Sequence, residues 1–166
     1  MSAPVNNFAD ITTRDNMKRI AGNKKAYHDY FIDETFEAGI VLTGTEVKSI
    51  RDYGLSLKES YAHVRAGEVW LLGVHIKPYA QGSYNNVDPD RPRKLLLHKK
   101  QIRYLDTKTN ERGQTIVPTK IYFSSDNRLK VEIGLARGKK DYDKRATIAQ
   151  KDAQRDIERA LKVRNQ

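Results

Sequence analysis

The chain contains no cysteine, one tryptophan and two methionines in 166 residues. Without cysteine there is no disulfide and no thiolate metal site, which suits a reducing compartment. No apolar run approaches the ~20 residues that a bilayer-spanning helix needs. A secretory leader is not expected, because Asp10, Arg14, Asp15, Lys18 and Arg19 interrupt any apolar stretch near the start. The four histidines, His28, His63, His75 and His98, lie far apart, and none stands in HExxH or another metal spacing. Neither a metal nor a cofactor is therefore expected. Acidic charge is also short. Against 31 Lys and Arg there are 21 Asp and Glu, a formal net charge of +10 and a pI near 9.7. An excess of this sign favours a polyanion, above all nucleic acid, through phosphate neutralisation and counterion release.

What is present is unevenly placed. Residues 1–25 carry five basic and two acidic groups, and residues 138–166 carry nine against five. The long middle segment, 26–137, is nearly balanced at 17 against 14. Hydrophobic residues make up 38%, enough for one modest core. The chain therefore divides into a polar, flexible N-terminal arm over 1–22, a folded domain over 23–137 and a basic tail over 138–166.

Within the domain the alternation is that of strands. His28 to Asp33 and Phe36 to Thr43 read as two strands joined by a turn at Glu34 and Thr35. Thr45 caps a short helix, Glu46 to Arg51, and Gly54 ends that region. Ser60 to Arg65 and Glu68 to Ile76 form a hairpin about Ala66-Gly67, with Trp70, Leu72 and Val74 sharing one face. A long loop follows over 77–93. The stretch Arg91 to Arg103 holds six basic residues and no acidic one. His98 to Asp106 reads as a helix, and Thr109 to Gly113 as a loop. Thr115 to Ser124 and Leu129 to Ala136 form a last hairpin, turning at Ser125-Asp126-Asn127. About six strands and two short helices suggest a small closed or partly open β-barrel, since closure removes exposed edges. A β-sandwich is the alternative.

After Gly138 the alternation stops. Asp141 or Asp143 can cap a helix running to about Lys162. Lys144, Lys151, Arg155, Arg159 and Lys162 fall on one side, and Ala149, Ala153, Ile157 and Leu161 on the other. The apolar stripe is narrow, so the tail is expected to be disordered or to become helical when its basic face meets a partner.

Three constellations are weighed for chemistry. Asn23 to Tyr30 interleaves Lys with Tyr and His, a mixture suited to phosphates and to stacked bases. Gly134-x-x-x-Gly138-Lys139-Lys140 is not a P-loop: it has three residues between the glycines and no hydroxyl after the lysine. His28 with Glu37 would make a ribonuclease-like acid–base pair if the first two strands form a hairpin. A hydrogen-bonded pair on a strand surface is the preferred reading, as no nucleophile or metal spacing accompanies it.

Three blocks carry a resemblance to a known family: NKKAYHDYFIDETFEAGIVLTGTEVKSIR from Asn23, RPRKLLLHKKQI from Arg91 and VEIGLARGKKDYDKR from Val131. On these blocks the chain resembles the bacterial SsrA-binding (small protein B) family over about Asn23 to Asp156. The resemblance implies a non-enzymatic RNA-binding protein with an OB-like antiparallel β-barrel. It implies binding to the tRNA-like domain of transfer-messenger RNA and delivery to stalled ribosomes for trans-translation, which rescues the ribosome and tags the peptide. The alternative is a general single-stranded RNA-binding OB-type module without a ribosomal role.

By position, the resemblance assigns RNA contact to Asn23, Lys24, His28 and Glu37, to Lys94, Leu97, His98 and Lys99, and to Arg137, Lys139 and Lys140. Tyr142, Asp143, Lys144, Arg145 and Lys151 fall in the ribosome-binding tail. The implied partners are transfer-messenger RNA and the ribosome, at the small-subunit decoding region and message channel. Elongation factor Tu and alanyl-tRNA synthetase follow through the shared RNA. A cytoplasmic monomer with no membrane contact is implied. The tail departs from the family pattern at Ala149 and Ala153, which remove a charge and a stacking group.

Overall fold

A computed structural model describes residues 18–82 and 85–164, less the side chains of Arg112 and Asp141. Its spine is a hairpin of β6, Thr115–Phe123, and β7, Leu129–Gly138. β-Branched and aromatic residues dominate β6, as a pleated, buried surface favours. The hairpin turns as the spacing predicts: Ser124 N–H donates to Arg128 O at 2.8 Å, and Asn127 takes a left-handed φ of 61°. Asparagine tolerates that conformation better than most residues. Pro118 lacks an N–H, and the register slips between Pro118 and Lys120 as a bulge.

The other strands complete a ring. They are β1, Lys18–Gly22; β2, Tyr30–Ile40; β3, Tyr61–Arg65; β4, Glu68–Leu72; and β5, Arg93–Leu96. All pairings are antiparallel, in the order β1-β6-β3-β4-β5-β2-β7, and β7 returns to β6. The seven strands thus curl into a near-barrel ring, with β1 extending the line of β3 along β6. The β3–β4 turn has positive φ at both Ala66 and Gly67, 51° and 73°. A two-residue turn that follows the twist of its strands requires this.

Four helices accompany the ring among the described residues: α1, Lys24–Asp29; α2, Gly44–Tyr53; α3, Lys99–Arg112; and α4, Asp141–Arg164. Ile50 of α2 and Leu105 of α3 are buried with Val69, Leu71, Leu95, Ile116, Val131, Ile133 and Leu135. A second small cluster forms where Ala26 of α1, Tyr30 and Ile32 cover Val117 and Ala136. Gly134 permits it: a Cβ there would lie 2.7 Å from Ile32 Cγ2.

Several expectations are corrected. Residues 1–17 of the expected arm lie outside the described residues, but Lys18–Gly22 is β1, paired with the C-terminal half of β6. The two strands expected either side of Glu34 are one strand of 11 residues. Pairing with β7 runs through the site of the expected turn, and the register slips between Ile32 and Glu34. His28 is helical, because the Asn23 side chain accepts from Ala26 N–H at 3.1 Å and starts α1. Helix α2 is capped by Thr43, not Thr45, through a reciprocal box with Glu46.

In β4 the buried face is Val69 and Leu71, while Trp70 and Leu72 are only half-buried. Gly73, at φ 76°, ends the strand, and Val74 and Ile76 re-enter the core with shifted phase. Residues 109–112 continue α3, which ends at the left-handed Gly113.

Candidate RNA interface

The side chains singled out by sequence gather chiefly where α1, the start of β2, the end of β7 and the root of α4 meet. Asn23 is buried. Its amide donates to Leu57 O at 3.2 Å and Pro118 O at 2.9 Å, and its backbone N–H donates to Thr119 O at 2.8 Å. Its hydrogen-bonding capacity is spent on anchoring α1 to the barrel. Lys24 projects freely, with no partner among the described residues. Lys25 instead pairs with Glu59. His28 does not face Glu37: its Nδ1 lies 2.8 Å from Asp29 Oδ1. Glu37, on β2, accepts from the Tyr122 hydroxyl. The acid–base pair is thus absent.

Asp29 is a residue that sequence reasoning passed over. The His28 hydrogen bond holds its carboxyl below the ordinary range against a burial cost, with the Lys144 charge adding to it. Lys144 Nζ lies 3.7 Å from the same carboxylate. Asp29 O accepts from Lys139 N–H at 2.8 Å. Lys139 Nζ donates to Tyr27 O at 3.0 Å and to Thr147 Oγ1 at 3.1 Å. The last turn of α1 is therefore stitched to the first two turns of α4.

Phe31 was missed as well. It is 38% exposed, with Lys139 Nζ 5.0 Å and the Arg137 guanidinium 5.4 Å from its ring centre. Arg137 also grips Asp33 in a fork, at 2.8 and 3.0 Å, and Gln114 donates to the same carboxylate at 2.8 Å. The Arg137 hydrogen bond, helped by its charge and by Gln114, outweighs burial and lowers the Asp33 pKa. An exposed aromatic flanked by cations is a stacking platform beside phosphate ligands. The interleaving of Phe31 with Arg137 across two strands depends on register, so only pairing reveals it.

The stretch Arg91 to Arg103 divides. Arg93 is fully buried and gives Nε and a terminal nitrogen to Glu46 Oε2, at 2.9 and 2.7 Å. Arg91 pairs with the other Glu46 oxygen. Neither guanidinium faces out freely. Lys94 is half-exposed and 2.8 Å from Glu68. Leu97 packs against the core, whereas Leu96 is exposed beside Gly39 of β2. His98 stands at the N-cap of α3, its N–H accepted by Gln101 Oε1 at 3.2 Å. Lys99, Lys100 and Arg103 are the outward cations of this segment.

In the tail, Lys140 N–H donates to Asp143 Oδ2 at 3.2 Å, so Asp143 caps α4. Lys140 Nζ sits 6.0 Å from the ring centre of Tyr142, which is 65% exposed. Arg145 and Lys151 are exposed. From Ile148 to Arg164 every residue of α4 is exposed. Among the described residues no group of three or more His, Asp or Glu is placed to hold a metal, and no helix is long and apolar enough to cross a membrane. The arrangement offers cations, an aromatic platform and hydrogen-bonding side chains.

A family model described as "SmpB protein" matches residues 20–163. An SsrA-binding protein of Fervidobacterium nodosum is 57% identical over 146 residues, covering 88% of this chain and 98% of its own. One from Listeria monocytogenes serotype 4b is 59% identical over 149 residues, covering 90% and 96%. A solved structure described as "tmRNA-SmpB: a journey to the center of the bacterial ribosome" matches with a TM-score of 0.62 at 51% identity. It covers 74% of this chain and 86% of that one.

Proposed function

The chain belongs to the SmpB protein family, and on that premise we propose how its surfaces divide the family's work. It is a non-enzymatic protein that binds transfer-messenger RNA and functions in trans-translation on the ribosome. In this reading the ring is an OB-like barrel that takes the tRNA-like domain of the RNA. Lys24, His28, Lys99 and Lys140 meet phosphates and base edges, and Phe31 offers a ring for stacking, with Arg137 held beside it by Asp33. Asn23, Glu37, Leu97, His98 and Lys139 serve by holding α1, β2, α3 and the tail root in place. Helix α4 enters the small-subunit decoding region and message channel, with Tyr142 stacking and Lys144, Arg145 and Lys151 along the path. Elongation factor Tu and alanyl-tRNA synthetase meet the complex through the shared RNA. The chain acts as a cytoplasmic monomer.

One observation supports this division above the rest. Helix α4 is 24 residues long, is rooted at the α1 junction, and then leaves the barrel with all its later residues exposed. A helix so exposed gains nothing from the core and is arranged for a partner elsewhere. Truncation after Gly138 tests it. Affinity for the tRNA-like RNA should stay within a few-fold, and peptide tagging on stalled ribosomes should vanish. Tagging that survives truncation removes the tail from the mechanism and leaves a general RNA-binding module.

A further inference from the structure

The joint between the barrel and α4 is built without apolar packing. Pairing of β2 with β7 persists to Tyr30 and Gly138, so only Lys139 and Lys140 link the sheet to α4. Among the described side chains of α4, Asp143, Lys144 and Thr147 are half-buried and the rest are exposed. These three are polar and share one face of the helix, as their spacing requires.

Two ties cross from this face to α1. In the first, Lys139 Nζ sits at the carbonyl end of α1 and donates to Tyr27 O at 3.0 Å. The same ammonium donates to Thr147 Oγ1 at 3.1 Å. Thr147 gives its own proton to Asp143 O at 2.9 Å, so a lone pair of its hydroxyl takes the ammonium. The second tie is Lys144 Nζ, 3.7 Å from the Asp29 carboxylate. Asp29 is the last residue of α1, where a carboxylate meets the negative end of the helix and gains nothing from it. The cation of α4 gives that charge a use.

We propose that Thr147 and Asp29 are positioning residues for the tail: together they fix the direction in which α4 leaves the barrel. The inference rests on the reading of α4 as the segment that enters the ribosome. A helix joined by a two-residue link swivels unless a second point along it is held, and Thr147 and Lys144 supply that point. The leverage is large. At 24 residues α4 is roughly 36 Å long, so a swing of about 30° at the root carries its far end about 20 Å. A tail already aimed loses less freedom on docking than one that must search. The ties are polar and surface pairs of this kind are weak, so loss of both should free the helix without unfolding the barrel.

The chain has no cysteine, so R65C/Q154C places two spin labels at exposed positions, one on β3 and one on α4. Pulsed electron-spin distance measurement on the labelled full chain should give one narrow distance. D29N/T147V keeps side-chain size but removes the charge and the hydroxyl. It should raise the weight of other distances about tenfold. In unlabelled protein the same pair should lower peptide tagging on stalled ribosomes at limiting protein by a similar factor, while affinity for the tRNA-like fragment stays within a few-fold. T147S restores the hydroxyl, so D29N/T147S should recover part of both losses. Should D29N/T147V fail to fold, T147V alone should raise the other distances about threefold, with T147S as its rescue. The inference is overturned if the unaltered chain already shows a broad spread, if the double variant keeps the single distance, or if it spreads and tags at the unaltered rate. Equal losses with serine and valine at position 147 overturn the role of the hydroxyl. Failure of the family function would instead appear as loss of RNA binding by the unaltered chain, and failure of the tail reading as tagging that survives truncation after Gly138.

Discussion

Glu46 shows what a single position does here. It closes the capping box of α2 with Thr43 and, 4% exposed, takes both Arg91 and Arg93. The box was legible as Thr43-x-x-Glu46, yet Thr45 is an equally plausible cap by residue type. The arginine partners were not legible, because they lie 45 and 47 residues away. Removing one member of a buried ion pair leaves an uncompensated charge, so Glu46→Gln should cost about 3–5 kcal/mol in urea unfolding. Burial raises the Glu46 pKa, but the Thr43 N–H and the two arginines outweigh it and hold the carboxyl below its ordinary range. The stability this supplies is present above the ordinary carboxylate pKa. It is lost as pH falls through the lower folded-state value. Acidification should therefore destabilise the native chain more steeply than Glu46→Gln. Equal acid slopes would mean that Glu46 is not ionised in the fold.

Among the elements, α4 depends most on its surroundings. The opposed basic and apolar stripes were readable from spacing alone. Its apolar stripe stays exposed, with Ile157 at 61% and Leu161 at 54%. Internal support is thin: Asp152–Arg155 at 3.7 Å and Asp156–Arg159 at 3.6 Å. Such pairs contribute about 0.2–0.5 kcal/mol each. The barrel holds only the root, through Lys139, Lys144 and Thr147. A peptide of residues 138–166 should thus show little helix in water by circular dichroism and gain helix when RNA is added. A strongly helical free peptide would show that neither barrel nor partner is needed. By contrast, the β2 bulge was illegible: Glu34-Thr35 is a fair turn in isolation, and only the β7 edge keeps the strand running.

For the whole molecule, the charge found at the two ends of the sequence acquires a direction. Lys24, Lys25 and the tail root converge at α1, whereas Lys18 and Arg51 lie at the opposite end of the ring. Convergence also gives adjacent lysines different work. Lys139 is engaged with Tyr27, Thr147 and Phe31, while Lys140 has the Tyr142 ring at its side. Lys140→Ala should lower the salt slope for the tRNA-like RNA by about 0.7–0.9, and Lys139→Ala should leave it nearly unchanged. Equal losses would mean that both meet phosphate and that the contacts to Tyr27 and Thr147 yield to RNA.

The sequence by itself determined a polyanionic class of partner, the mainly β character and the final hairpin. These follow from net charge, from period-two alternation and from turn residues, all of which are local or additive quantities. The motif blocks added the family. Only the tertiary structure decided which cations are available. Arg91, Arg93 and Arg137 read alike with Lys99 and Arg51 as positive charges. Whether such a group faces solvent or a carboxylate depends on strand register and on residues far along the chain. The same holds at Gly134-to-Arg145: the sequence marks it as an exit, and packing against α1 makes it a joint.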